Sequence, residues 1–173
     1  MVSRHPHVFG AERLEDAAAV HRAWERRKLS TGAASDSILE GVPDSLPSLL
    51  ASYRISQKVA GVGFDWPDID SVLDKVDEEL NELRQHLGDP ADLRDRQREL
   101  QEEIGDLLFT IANLARHLKI DPEAALARSN RKFRRRFRAV EAALDIDQTS
   151  LADATLEQLE AAWQKIKSQE KDQ

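Results

Sequence analysis

Residues 68–87 read DIDSVLDKVDEELNELRQHL, and this segment decides the fold that we expect for the chain. On a helical wheel at about 100° per residue, its apolar side chains gather into one stripe. The members of the stripe are Ile69, Val72, Leu73, Val76, Leu80, Leu83 and Leu87. The segment is therefore predicted to be an amphipathic helix that buries one face.

Helical periodicity recurs through most of the chain, and strand signals are almost absent. We predict further helices over about 11–28, 46–61, 92–118, 122–144 and 156–167. Asp121-Pro122 and Thr155-x-x-Gln158 supply start signals for the last two helices. The final stretch SQEKDQ is expected to fray. The sequence predicts an all-α protein, with an N-terminal helix and linker at 1–45 and a helical domain at 46–173.

Composition excludes several kinds of site and partner. The chain has 173 residues, a net charge of −7 and no cysteine. Disulfides and thiolate metal sites are therefore excluded, and carboxylates favour hard cations. An acidic chain is not expected to coat nucleic acid. No apolar run approaches the ~18 residues of a membrane-spanning helix, so we expect no membrane partner and a cytoplasmic location.

Two predicted helices carry paired carboxylates beside their apolar stripes. Glu79 and Glu82 share one flank of the first helix, and Glu103 and Asp106 share one flank of the next. If the helices pack by their stripes, the two pairs meet, and such carboxylates repel unless cations compensate. The stripe of the second helix consists of Leu100, Ile104, Leu107, Leu108, Ile111, Ala115 and Leu118. A magnesium cluster suited to phosphoryl chemistry is one interpretation, and an ordinary solvated helix face is the other.

A strongly basic segment, NRKFRRRFR at 130–138, interrupts this acidic protein. Asn130 falls on the apolar line of its helix, and Lys132 and Arg136 flank that line. The cations could complement the charge of a triphosphate, form a nucleic-acid patch, or pair with acidic neighbours. Trp163 could stack on a base, or it could complete an apolar core.

The order Glu-Glu-x-x-Glu at 78–82, a spacer, and Glu-x-x-Asp at 103–106 resembles the signature of the all-α nucleotide pyrophosphohydrolase superfamily. Nearly the whole chain further resembles the MazG branch. The stretches that carry this resemblance are RHPHVFG at 4–10, GVPDSLPSLL at 41–50, QKVAGVGFDW at 57–66, EEIGDLLFTIANLARHL at 102–118 and NRKFRRRF at 130–137. The resemblance implies a helical bundle completed by dimerisation, as a homodimer or a dimer of dimers.

The same resemblance implies hydrolysis of a nucleoside triphosphate to its monophosphate and pyrophosphate, with Mg²⁺ as cofactor and Mn²⁺ as a substitute. The implied metal ligands, which are also the catalytic residues, are Glu79, Glu82, Glu103 and Asp106. The implied substrate contacts are Lys75, Glu78, Glu99, Glu102, Asn130, Lys132, Arg135, Arg136 and Trp163. The chain resembles the second, catalytic domain of a tandem pair with its preceding linker. It departs from the family pattern at Arg134, where an acidic residue is common.

Three other classes of protein are alternatives to this function. A di-iron bundle relies on Glu-x-x-His pairs, and no glutamate here has a histidine three residues later. A non-catalytic helical interaction module predicts that the carboxylates are dispensable. A narrower hydrolase, such as a dUTPase-like or phosphoribosyl-ATP enzyme, fits the carboxylates but not the flanking MazG-like stretches.

Overall fold

The computed structural model describes residues 37–87, 96–146 and 150–170. We number its α-helices in chain order: α1 (Ser48–Gly61), α2 (Ile69–Leu87), α3 (Gln97–His117), α4 (Pro122–Ile146) and α5 (Leu156–Gln169). A short 3₁₀ helix, Ile38–Gly41, precedes α1 within the stretch that was predicted to be a linker. The described residues contain no strand, so the all-α prediction is confirmed. The helix predicted over residues 11–28 lies outside the described residues.

Side-chain caps and turns mark where the helices begin and end. Asp68 precedes α2, and its Oδ1 accepts hydrogen bonds from the backbone N–H and the hydroxyl of Ser71 at 2.8 and 2.7 Å. The capping box predicted at Thr155 and Gln158 is formed in both directions. Gly63 follows α1 with φ +96°, a conformation that costs glycine little.

The chain divides into two compact units, Met1–Glu123 and Ala124–Gln173. In the first unit, α3 packs against both α1 and α2. The second unit contains most of α4 and all of α5, which are joined by side-chain contacts described below. No described helix is both long enough and apolar enough to cross a membrane.

The buried face of α3 differs from the predicted apolar stripe. Leu100 is buried, but so are the polar side chains of Thr110 and Asn113. Burial of Asn113 is tolerated because its Oδ1 accepts a hydrogen bond from Arg116 Nε at 2.8 Å. Four predicted stripe members are instead 41–49% exposed: Ile104, Leu108, Ile111 and Leu118. These four lie outside the face of α3 that α1 and α2 cover, so the predicted stripe is only partly buried in the described residues.

The connection between α1 and α2 is tied to the end of α3 by Asp65. Its Oδ1 accepts hydrogen bonds from the backbone N–H of Trp66 at 2.9 Å and from the guanidinium of Arg116. The same oxygen lies 3.1 Å from Nε2 of His117. The side chains of Arg116 and His117 are each only 13% exposed, so the network sits against the first unit. This contact helps to fix where α2 begins.

Candidate active site

Three carboxylates from two packed helices converge in the first unit. One carboxylate oxygen from each of Glu79, Glu82 and Glu103 lies within 4.8 Å of the other two. Glu79 is buried, and the other two are half-buried. Glu79 follows buried Val72 by about two helical turns, and Glu103 follows buried Leu100 by about one turn. The helical repeat therefore turns both carboxylates towards the packed side of their helices.

Lys75 supplies a positive charge beside this carboxylate cluster (Glu79, Glu82 and Glu103). Its Nζ lies 2.8 Å from Oε1 of Glu78 and 2.9 Å from Oε1 of Glu79, one turn further along α2. The hydrogen bond to Glu78, followed by that to Glu79, raises the pKa of Lys75 above its ordinary value. Lys75 is therefore an ammonium at neutral pH. It offsets only part of the negative charge that the cluster and Glu78 bring together.

His86 lies beside Glu103 of the cluster. Its Nε2 lies 3.6 Å from Oε1 of Glu103, and the ring is 37% exposed. Carboxylates this close repel one another unless a cation compensates or a proton is taken up. A donor set made only of carboxylate oxygens suits a hard divalent cation such as Mg²⁺. The residues that converge here thus fit the metal that the sequence implies.

Asp106 is not brought into this cluster. Its side chain is exposed, because the packed side of α3 passes through Leu100, Glu103 and Thr110. Two expected substrate contacts on α3, Glu99 and Glu102, are also exposed. Glu102 accepts a hydrogen bond from Arg98 Nε at 3.0 Å.

Aromatic rings and a guanidinium pack together in the second unit. Phe133 and Trp163 lie with ring centroids 5.2 Å apart at an interplanar angle of 45°. Phe137 stacks on Phe133 at 6.0 Å. The guanidinium carbon of Arg136 lies 5.9 Å from the ring centroid of Trp163. Trp163 remains half-buried, so it both packs against α4 and keeps some accessible surface.

Two of the predicted phosphate-binding arginines meet an acidic side chain that sequence reasoning missed. Arg135 donates to Oε1 of Glu170 from Nε at 3.2 Å and from Nη2 at 2.8 Å. Arg136 donates to Oε2 from Nε at 2.7 Å, and its Nη2 also lies 2.7 Å from that oxygen. The expected fraying of SQEKDQ is thus wrong as far as Glu170, because these contacts hold the end of α5; residues 171–173 lie outside the described part.

The remaining candidates on α4 are exposed. Asn130 is not buried on the apolar line of its helix, as the wheel had placed it, and Lys132 is exposed as well. Arg134, the departure from the family pattern, helps to line a shallow depression of about 390 Å³. The other residues around that depression are Arg131, Arg135 and Arg138.

Residues 68–140 match the family described as the MazG nucleotide pyrophosphohydrolase domain. This match contains all of α2 and α3, together with the carboxylate cluster. The all-α fold of the described residues agrees with this similarity to a MazG domain.

Named relatives extend this similarity over almost the full chain. A nucleoside triphosphate pyrophosphohydrolase of Escherichia coli (strain K12) is 41% identical over 98% of this chain and 64% of its own length. A nucleoside triphosphate pyrophosphohydrolase/pyrophosphatase MazG of Thermotoga maritima is 38% identical over 96% of this chain and 61% of its own length. The uncharacterized protein YabN of Bacillus subtilis is 37% identical over 99% of this chain and 34% of its own length. The chain therefore spans less than two thirds of these relatives.

Proposed function

We propose that this chain hydrolyses nucleoside triphosphates to the monophosphate and pyrophosphate at a magnesium site formed by Glu79, Glu82 and Glu103. The observation that carries the proposal is the convergence of these three carboxylates from α2 and α3, with Glu79 buried. Two relatives of the chain are named as enzymes of this kind, which supports the proposal. Asp106, one turn beyond Glu103, is proposed as a fourth ligand, and Mn²⁺ as a substitute for Mg²⁺.

The cluster would hold the metal, which when bound neutralises phosphate charge and polarises the phosphorus centre. Glu79 or Glu82 would orient the attacking water and accept its proton, since both carboxylates are held on one flank of α2. The ammonium of Lys75, fixed by Glu78 and Glu79, would offset charge that develops on the phosphates. Glu78, Glu99 and Glu102 remain proposed substrate contacts.

In the second unit, we propose that Trp163 stacks on the base and that cationic side chains of α4 contact phosphate. The half-buried Trp163 ring keeps some surface for stacking, which tolerates different bases. Guanidinium groups match the geometry of phosphate oxygens. The proposed contacts on α4 are Asn130, Lys132, Arg135 and Arg136.

We further propose that the protein works as a homodimer or a dimer of dimers. Few apolar side chains of the described residues are buried, and many large ones are exposed. Ile104, Leu108 and Ile111 follow the helical repeat along α3, and each is at least 41% exposed. An apolar face of this kind favours association with another surface.

The test is pyrophosphate release from a panel of canonical and damaged nucleoside triphosphates with Mg²⁺, with and without EDTA. We expect Glu79→Gln to lower the rate at least about 100-fold, since it removes a proposed ligand or base. Asp74→Asn changes the same charge on the same helix outside the cluster and should keep the wild-type rate. Cleavage of no triphosphate by folded wild-type protein would favour a binding module. Cleavage confined to one base would favour the narrower hydrolase.

A further inference from the structure

Glu170 joins two consecutive arginines of α4 to the end of α5. Both of its carboxylate oxygens are used, one by Arg135 and the other by Arg136, at distances of 2.7–3.2 Å. All three residues belong to the second unit. From these contacts we infer that Glu170 is a positioning residue for the nucleotide: it orients both guanidiniums for phosphate and holds Arg136 beside Trp163. This inference rests on the proposed function.

Consecutive residues of a helix do not present their side chains to the same point. Positions i and i+1 differ by about 100° around the axis. Arg135 and Arg136 nevertheless converge on a single carboxylate, against their mutual repulsion. Glu170 supplies the negative charge that makes this convergence favourable. Without it, we expect the two guanidiniums to separate and to lose their common orientation.

The bridge leaves donors free on each guanidinium. Arg135 and Arg136 both face Glu170 with the edge formed by Nε and Nη2. A guanidinium has five N–H donors, so the bridge itself leaves the Nη1 group of each arginine unused. The side chain of Arg135 is 67% exposed and that of Arg136 is 19% exposed, so Arg135 is the more accessible of the two. A phosphate can therefore bind these arginines while the carboxylate stays in place.

The same carboxylate is linked to the aromatic ring. Glu170 lies about two helical turns beyond Trp163, which puts both residues on one face of the α5 end. Arg136 contacts both, since it bonds Glu170 and lies 5.9 Å from the centroid of Trp163. A nucleotide needs a stacking surface and a phosphate-binding cation at a fixed separation. Glu170 helps to set that separation through Arg136.

Glu170 is ionised at neutral pH. Its hydrogen bonds with Arg136 and then Arg135 lower the pKa of the carboxyl group below its ordinary value. Two arginines and one carboxylate leave a net positive charge of about one, which still favours an anionic substrate.

The test measures KM and kcat of the full chain for the triphosphate that wild type cleaves best, at saturating Mg²⁺. We expect Glu170→Gln to raise KM about tenfold with kcat within about twofold, which corresponds to the loss of uniform substrate binding. Glu160→Gln removes the same charge from the same helix, where Glu160 accepts a hydrogen bond from Gln164, and should leave KM unchanged. Because removing a negative charge by itself would favour an anionic substrate, the direction of the KM change is diagnostic.

An Arg136→Gln background then tests whether Glu170 acts through the guanidinium. We expect Glu170→Gln to raise KM by a smaller factor in the Arg136→Gln protein than in wild type. If Glu170→Gln raises KM by the same factor in both proteins, the inference is overturned. An unchanged or lower KM for Glu170→Gln in an active enzyme would also overturn it. If Glu170→Gln fails to fold, Glu170→Asp takes its place: a raised KM at unchanged kcat supports the inference, and wild-type kinetics overturn it. Wild type without pyrophosphate release would instead count against the proposed function.

Discussion

Lys75 Nζ lies 2.9 Å from Oε1 of Glu79, whose side chain is only 6% exposed. The pair sets a single ammonium against a buried carboxylate that has two further carboxylates within 4.8 Å. Such an arrangement leaves unbalanced negative charge that a divalent cation can offset. We therefore expect a divalent cation that binds at the cluster to stabilise the folded chain.

Magnesium should raise the melting temperature of the wild-type chain, because a ligand that binds only the folded state stabilises it. The gain is about 2.7 kcal/mol when free Mg²⁺ reaches 100 times its dissociation constant. Differential scanning fluorimetry with MgCl₂, against NaCl of equal ionic strength, measures the shift. Glu103→Gln should lose most of the shift, whereas Asp74→Asn should keep it. Equal shifts in all three proteins would show that Mg²⁺ does not act at the cluster.

Asp65→Ala should destabilise the first unit by about 1–3 kcal/mol, the usual range for lost hydrogen bonds to charged groups. The substitution removes the acceptor that Trp66, Arg116 and His117 share. Urea unfolding with Asp77→Asn, an exposed aspartate of α2, as the control measures the difference. A midpoint equal to that of wild type would mean that this network does not hold the start of α2.

The pKa of Asp68 should lie below the ordinary aspartate value of 3.8. The hydrogen bond from the Ser71 hydroxyl, followed by that from the Ser71 backbone N–H, lowers this pKa. A carboxyl group with a depressed folded-state pKa stabilises the fold above its unfolded pKa. That contribution is lost as the pH falls through the folded pKa. Ser71→Ala removes one of the two bonds, so the folded pKa should rise towards its ordinary value. NMR titration from about pH 2 to 6 follows the carboxyl carbon.

Ser52→Ala is the matched control for that titration, since the Ser52 hydroxyl donates to the carbonyl oxygen of Ser48 and not to a carboxylate. Its Asp68 should titrate as in wild type. If Asp68 has the same pKa in wild type and in Ser71→Ala, the Ser71 hydroxyl does not lower the pKa of Asp68.

Leu108→Glu should weaken self-association, because it places a charge in the middle of the exposed apolar face of α3. Leu108 is 49% exposed, and its neighbours Ile104 and Ile111 are exposed at 48% and 41%. Size-exclusion chromatography with light scattering gives the mass as a function of concentration. Leu156→Glu changes a more exposed leucine of α5 and serves as the control. A wild-type chain that stays monomeric at all concentrations would rule out the proposed dimer.

Local signals were enough to predict most of the described fold. Asp121-Pro122 marks the start of α4 and the pair Thr155–Gln158 marks the start of α5. Each signal spans only a few residues, and both starts were predicted. The proximity of Glu79 to Glu103 also follows from helical spacing once α2 and α3 pack together.

Long-range packing explains what the sequence did not predict. The rotation of α3 that leaves Ile104 and Leu108 exposed depends on the two helices packed against it, which periodicity cannot reveal. Arg136 and Glu170 are 34 residues apart, and no local pattern links them. Asp106 stays a predicted ligand outside the cluster.

Hydrolysis of the preferred triphosphate in ¹⁸O-labelled water tests the central claim most directly. If water attacks the α phosphorus at the carboxylate site, wild type with Mg²⁺ should give nucleoside monophosphate that carries ¹⁸O and pyrophosphate that does not. Mass spectrometry of both products decides the outcome. Label in the pyrophosphate, or release of orthophosphate with a nucleoside diphosphate, would contradict the account.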